Sequence, residues 1–188
     1  MLGKVIRWWP PFGVLGMAGL GWAVGSGSTP VDDWFQHDAR GAMRGHLGWL
    51  LLFTQWWLLA AVLAVGAAAA LYRRQWRLAA VVLLVPVAAI EINVLLKQLF
   101  ERYKGGALAY PSGHTTLLVT VLGMVVLVAA WRWWAIAVAV AAILLGMVGL
   151  ACTYHYFTDT VGSVLYATAM VCVAARLAGA VPAHAGYP

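Results

Sequence analysis

Six apolar runs, separated by short polar breaks, constrain this chain more than any other feature of its sequence. They fall near residues 12–27, 47–72, 78–100, 114–131, 134–153 and 160–179. A helix needs about 20 apolar residues to cross a bilayer core. In that solvent every backbone polar group must be satisfied internally, which a helix achieves by itself. The sequence therefore reads as all-α, a single integral-membrane domain over 1–188 built as a polytopic bundle of six transmembrane helices. Composition excludes the soluble alternative. With 64% hydrophobic and 10% charged residues among 188, a water-soluble core could not hide the apolar surface. The first run is short and glycine-rich, but Gly21 and Gly25 have the small-xxx-small spacing that lets helices approach closely in lipid. The opening KVIRWWPP has a basic flank, but no small-residue cleavage site follows it cleanly, so the first helix is read as retained. Cys152 and Cys172 lie inside apolar runs and read as small hydrophobes, with no disulfide or metal pattern around them.

Charge sets an orientation. With both termini cytoplasmic, Lys4, Arg7, Arg73, Arg74, Arg77, Arg132 and Arg176 lie inside, while Arg40, Arg44, Lys97, Arg102 and Lys104 lie outside. Seven against five favours that arrangement by the positive-inside rule. Trp8, Trp9, Trp76, Trp131, Trp133 and Trp134 then form a cytoplasmic aromatic belt. Asp32 and Lys104 are expected to be accessible from outside and Arg74 from the cytoplasm.

Most residues capable of chemistry fall in two outer connections under this topology. One reads Lys97-QLFE-Arg102-Tyr103-Lys104-GGALAY-Pro111-Ser112-Gly113-His114, and the other His155-YFT-Asp159. Three cations, two histidines and a carboxylate thus share one membrane face. PSGH ahead of a helix, followed downstream by His-xxx-Asp opening the last helix, resembles the type 2 phosphatidic acid phosphatase family. The similarity covers roughly residues 90–170. The resemblance implies a six-helix lipid phosphatase that works without metal and is related in fold to vanadium haloperoxidases and glucose-6-phosphatase.

It also implies roles, each with a physical reason. A phosphomonoester carries up to two negative charges, so cations and backbone donors must meet it first. Lys97, Arg102 and Lys104 are the expected clamps, arginine being able to engage two oxygens at once. Ser112 and Gly113 lead into a helix whose N-terminus offers N–H groups and a positive dipole end to an anion. His155 is the expected nucleophile, Asp159 the acceptor that fixes its tautomer, and His114 the acid that protonates the departing alcohol. Two departures stand out. The first family motif is lysine, six residues, then Arg-Pro; here Lys104-Gly105 follows, with Arg102 two positions early. The third motif's Ser-Arg is replaced by Val148-Gly149, so Arg102, Lys104, Arg40 or Arg44 must compensate, or activity is low.

Plainer roles compete at several positions. Lys97 could simply snorkel from a helix end, and Asp159 could cap the last helix. Asn93, one turn from Lys97, could orient its ammonium. Glu91 could pair with Arg40 or Arg44, or be a hydrogen-bonded bundle residue. His37, His46 and His184 carry no pattern. The expected activity is hydrolysis of a phosphomonoester or diphosphate from a lipid: a polyprenyl phosphate or diphosphate, a polyprenyl-phosphate sugar phosphate, phosphatidylglycerophosphate or phosphatidic acid. The expected site is the extracytoplasmic face of the plasma membrane. Lipid phosphotransfer and lipid-phosphate binding or transport by a weakened site are the alternatives. The bilayer and a lipid phosphate are the expected partners, with no nucleic acid, no metal and no cofactor.

Overall fold

A computed structural model describes residues 2–181, so His184 lies outside the described residues. Long helices run antiparallel to their sequence neighbours, and all hydrophilic connections of chemical interest gather at one end. The first helix, α1 (Leu2–Val24), begins ten residues earlier than its apolar run and carries Pro10 and Pro11 inside it. It packs along the last helix, where Trp9 Nε1 donates to Thr168 Oγ1 at 2.8 Å. Gly13 makes the approach possible, since a Cβ there would lie 2.6 Å from the Leu165 carbonyl oxygen. Gly21 is likewise packed, against Phe100 and Tyr110, whereas Gly25 (φ +58°) follows the helix end and meets no neighbour. Only one half of the small-residue pair therefore serves packing.

The connection after α1 is itself structured. It holds α2 (Pro30–Trp34), a single π-helical stretch over Phe35–Ala39, and α3 (Arg40–Met43). The apolar run 47–72 is not one helix but two, α4 (Leu47–Leu52) and α5 (Trp56–Tyr72). At the break Thr54 Oγ1 turns back onto the Leu51 carbonyl at 2.8 Å. A polar Thr-Gln pair inside an apolar run is the signal for that break, because both side chains compete for backbone groups. Beyond it come α6 (Trp76–Phe100), a two-stranded hairpin of β1 (Tyr103–Lys104) and β2 (Ala107–Leu108), α7 (Gly113–Val128), α8 (Trp133–Ala151) and α9 (Phe157–Leu177).

Of these helices, α6, α8 and α9 are long and apolar enough to cross a membrane, while α5 and α7 are apolar but shorter. The helix α7 lies innermost, with Leu118, Val119, Val121 and Met124 almost wholly buried. Tryptophans mark both ends of the bundle. Trp8, Trp76, Trp133 and Trp134 are exposed at the end bearing the N-terminus, and Trp22, Trp49, Trp56 and Trp57 at the opposite one. Trp9 and Trp131 instead turn inward, the latter donating to the Ala180 carbonyl.

Candidate active site

A pocket of about 940 Å³ opens at the hairpin end of the bundle. Lys97, Lys104, Gly113, His114 and His155 line it, together with Tyr154. The two histidine rings face one another edge-to-face at 5.7 Å between centroids. His114 is exposed on the first turn of α7, whereas His155 is buried just before α9.

Backbone geometry explains why these residues meet. Ser112 caps α7, its hydroxyl accepting from the Thr115 N–H at 3.3 Å. Its own N–H donates to the Asp159 carbonyl at 3.3 Å, and its carbonyl accepts from the Ser163 hydroxyl at 3.0 Å. The start of α7 is thereby tied to the start of α9. Ser112 is wholly buried, so Gly113 presents the helix N-terminus to the pocket. Asn93 anchors the same loop, donating to the Pro111 carbonyl (3.3 Å) and the Thr116 hydroxyl (3.0 Å). That corrects the expectation that it orients Lys97.

The cations divide into two kinds. Lys97 Nζ donates to the Leu108 carbonyl at 2.7 Å, which leaves it two further N–H donors. Lys104 Nζ donates to the carbonyls of Thr153 (3.2 Å) and His155 (2.8 Å) and lies 4.9 Å from the centre of the Tyr156 ring. Burial pushes the Lys104 ammonium down to about 8, against the attraction of Asp159 and Asp32 and with help from the nearby Arg40 charge.

Arg102 is different, and here the expected clamp meets a correction. It is 1% exposed, and all five of its N–H donors are engaged by the protein. Nη1 reaches Asp159 Oδ1 at 2.8 Å and Thr158 Oγ1 at 2.7 Å; Nη2 reaches Asp32 Oδ2 at 3.0 Å and the Gly27 carbonyl at 2.6 Å; Nε also donates to Gly27. A guanidinium between two buried carboxylates, stacked 4.5 Å over Tyr156, has no donor left for a phosphate.

Asp32, expected to be accessible, is completely buried. Besides Arg102 it accepts from the Thr158 N–H at 2.9 Å and from both the N–H and the hydroxyl of Thr29. Burial tends to raise its pKa, but the hydrogen bonds from Thr158 and Thr29 together outweigh it and hold the carboxyl below its ordinary value. The first connection reaches the site a second time through Gln36, which donates to the carbonyls of Ala151 and, at 3.1 Å, His155. Phe35 stacks on Phe157 at 4.5 Å. Sequence reasoning missed Asp32 and Gln36 as parts of the site. The one available hint was a Thr-Pro-x-Asp start that forms a capping box, which fixes α2 but does not say what it docks against.

Asp159 closes the constellation. Its Oδ2 accepts from the Tyr156 N–H at 2.9 Å, which caps α9, and lies 3.8 Å from His155 Nδ1. That is too long for a hydrogen bond, and the buried Nδ1 has no other partner among the described residues. No group of three His, Cys, Asp or Glu side chains able to hold a metal occurs among the described residues.

This arrangement of two histidines, a buried carboxylate and a helix N-terminus lies within a sequence match to the PAP2 superfamily over residues 86–181. The chain belongs to that superfamily. Phosphatase activity on lipid-like phosphates is what membership suggests. The match spans α6 from Pro86 through α9, so it takes in His114, His155 and Asp159 but not Asp32, Gln36 or Arg40. Neither the curated proteins nor the solved structures offer a significant match.

Gly149, where the resemblance led to the expectation of an arginine, is tightly packed in this PAP2 chain. A Cβ on Gly149 would lie 2.8 Å from Leu50 Cβ, because α4 packs directly on α8 there. The position has been given over to helix packing. Of the alternative cations, Arg44 is exposed at the end of α3, while Arg40 is exposed and close enough to Lys104 to affect its charge.

Proposed function

We propose that the chain is a membrane lipid-phosphate phosphatase working through a phosphohistidine at His155. The observation that carries this reading is the pair of histidines facing across a cation-lined pocket, one of them backed by a buried carboxylate at 3.8 Å. Lys97, Lys104 and the N-terminus of α7 at Gly113 receive the phosphate, with Arg40 supplying the charge that position 149 lacks. Nε2 of His155 attacks phosphorus, and the bond to the lipid oxygen breaks as His114 gives that oxygen a proton. Asp159 rotates onto Nδ1–H and stabilises the ring's positive charge. Water then attacks the phosphohistidine, losing its proton to His114, and inorganic phosphate leaves with His155 restored.

A lipid substrate follows from position, since the pocket opens at the same end as the exposed Trp22, Trp49 and Trp56. A membrane-anchored phosphate presents its headgroup at that depth. The charge distribution in the sequence supports an extracytoplasmic site.

The test is release of inorganic phosphate in detergent from polyprenyl phosphates and diphosphates, phosphatidylglycerophosphate and phosphatidic acid, with EDTA present. Turnover of at least one of them, an acid-labile and base-stable phosphoenzyme, and loss of both in His155→Ala are expected. Near-normal turnover by His155→Ala would sink the mechanism. The engagement of Arg102 favours one rival, a lipid-phosphate-binding protein of low turnover. Saturable binding with no phosphate release from any of these lipids would select it.

A further inference from the structure

A cavity of about 870 Å³ lies at the end of the bundle opposite the histidine pocket. Helices α5 and α8 both pack on α7, and the cavity is the groove left between them. Its wall on α5 is Ala61, Val62, Val65, Gly66 and Ala69, which recur every three or four residues and so share one face. Three of these five have small side chains or none, which leaves the groove open. From Ala61 to Arg73, the C-cap of α5, is about 18 Å of helix axis. Half of a bilayer's hydrocarbon core is about 15 Å, so the groove is one acyl chain deep.

The apolar wall ends in charge. Arg73 and Arg132 stand at the mouth of the groove, with Trp134 exposed beside them at the level of the tryptophan band. Arg73 is held in place, because its Nη1 donates to the Val128 carbonyl at 2.9 Å, and four N–H donors remain for another acceptor. Arg132 is exposed and caps α8, so the positive end of that helix dipole lies at the same mouth. A second cavity of about 590 Å³ adjoins, sharing Arg73, Val128 and Ala130 and adding Arg74 and Arg77. No acid offsets these four arginines. Asp32, Asp33, Asp38, Glu101 and Asp159 lie at the hairpin end, and none of the four pairs with an acid among the described residues. Glu91, past the middle of α6, pairs with neither Arg40 nor Arg44 among those residues.

An apolar slot one chain deep below an uncompensated cationic mouth complements an amphiphile with a negative head. A zwitterionic head brings its own cation against the same arginines and loses that advantage. We infer that this groove binds an anionic phospholipid, at a site distinct from the pocket of His114 and His155. One acyl chain lies along α5, the phosphate meets Arg73 and Arg132, and the rest of the headgroup extends toward Arg74 and Arg77.

Native mass spectrometry of the protein in detergent, with dioleoyl phosphatidylglycerol or dioleoyl phosphatidylcholine added, tests this. Phosphatidylglycerol should be retained at least about tenfold more tightly. It should also raise the melting temperature, since a ligand of the folded state stabilises it. Arg73→Ala combined with Arg132→Ala should abolish the preference. Lys4→Ala combined with Arg176→Ala removes as much charge from the same end but outside both cavities, and should leave the preference intact. Val65→Trp, at an exposed midpoint of the wall, should obstruct the groove and weaken retention several-fold. Because Arg73 ties α5 to the end of α7, Arg132→Glu is the second variant. Its side chain is exposed, so it should lose the preference while melting like the parent without lipid. Equal retention of the two lipids by the parent overturns the inference, and so does Val65→Trp binding like the parent. Equal loss in the Lys4 and Arg176 variant overturns it as well, because surface charge alone then accounts for binding. None of these measurements reads phosphate release, so they stand apart from the phosphatase reading.

Discussion

Arg102 and Lys104 are two residues apart and share the same tyrosine ring, yet they face opposite problems. The arginine lies between two carboxylates that cannot reach water, so its charge is required wherever the fold exists. Removing one member of a buried ion cluster typically costs about 3–5 kcal/mol. Arg102→Ala should therefore lower thermal stability in detergent and lose activity through misfolding, where a phosphate clamp would leave stability intact and raise KM. Lys104 keeps one N–H for a ligand and is held near 8 by burial. It is charged below that value and neutral above it, so kcat/KM should fall as pH rises past about 8. Lys104→Arg should remove that descent, and an unchanged pH profile in the variant would show that Lys104 is not the group responsible. The stability sign is opposite: the fold prefers the neutral amine, so this burial costs stability at low pH and is relieved between about 8 and the ordinary value. Sequence alone could rank these residues as cations beside PSGH, but not separate them. Their difference depends on Asp32, some seventy positions upstream of Arg102, and spacing carries no trace of it.

Elements, rather than single residues, explain how the site is held. Helices α7 and α9 meet at Ser112, Asp159 and Ser163, and the short helices of the first connection lock the start of α9 through Asp32, Gln36 and Phe35. The long helices were legible because apolar runs have a length that only lipid explains. Break points were not, since Thr54 and Gln55 are two polar residues in a run of more than twenty. The same break produces α4, whose contact with α8 excludes a side chain at position 149. Gly149→Arg, which introduces the arginine expected from the resemblance, should therefore push α4 away. Expected outcomes are a lower melting temperature and no gain in phosphate release. Increased turnover with unchanged stability would show that the site is merely weakened and that α4 yields. Arg40→Ala, by contrast, should raise KM several-fold with stability unchanged, because the side chain is exposed and unpaired among the described residues.

At the scale of the whole molecule, two bands of tryptophan bracket a bundle whose candidate site lies at one end. Tyr103 is 54% exposed beside the pocket, and Gln75 is exposed in the turn between α5 and α6 at the opposite end. The two native cysteines are buried, so background labelling should be low. Intact cells carrying Tyr103→Cys should react with an impermeant thiol reagent, and cells carrying Gln75→Cys only after permeabilisation. Tyr103 lies on the exposed hairpin and Gln75 in an exposed turn, so neither substitution touches the buried core. The geometry fixes that the two positions are at opposite ends; the arginines at 73, 74 and 77 predict which end is cytoplasmic. Labelling of Gln75→Cys alone in intact cells would invert the orientation and place the pocket on the cytoplasmic leaflet. The residue roles would survive that result, but the substrate would have to be a lipid phosphate presented from inside.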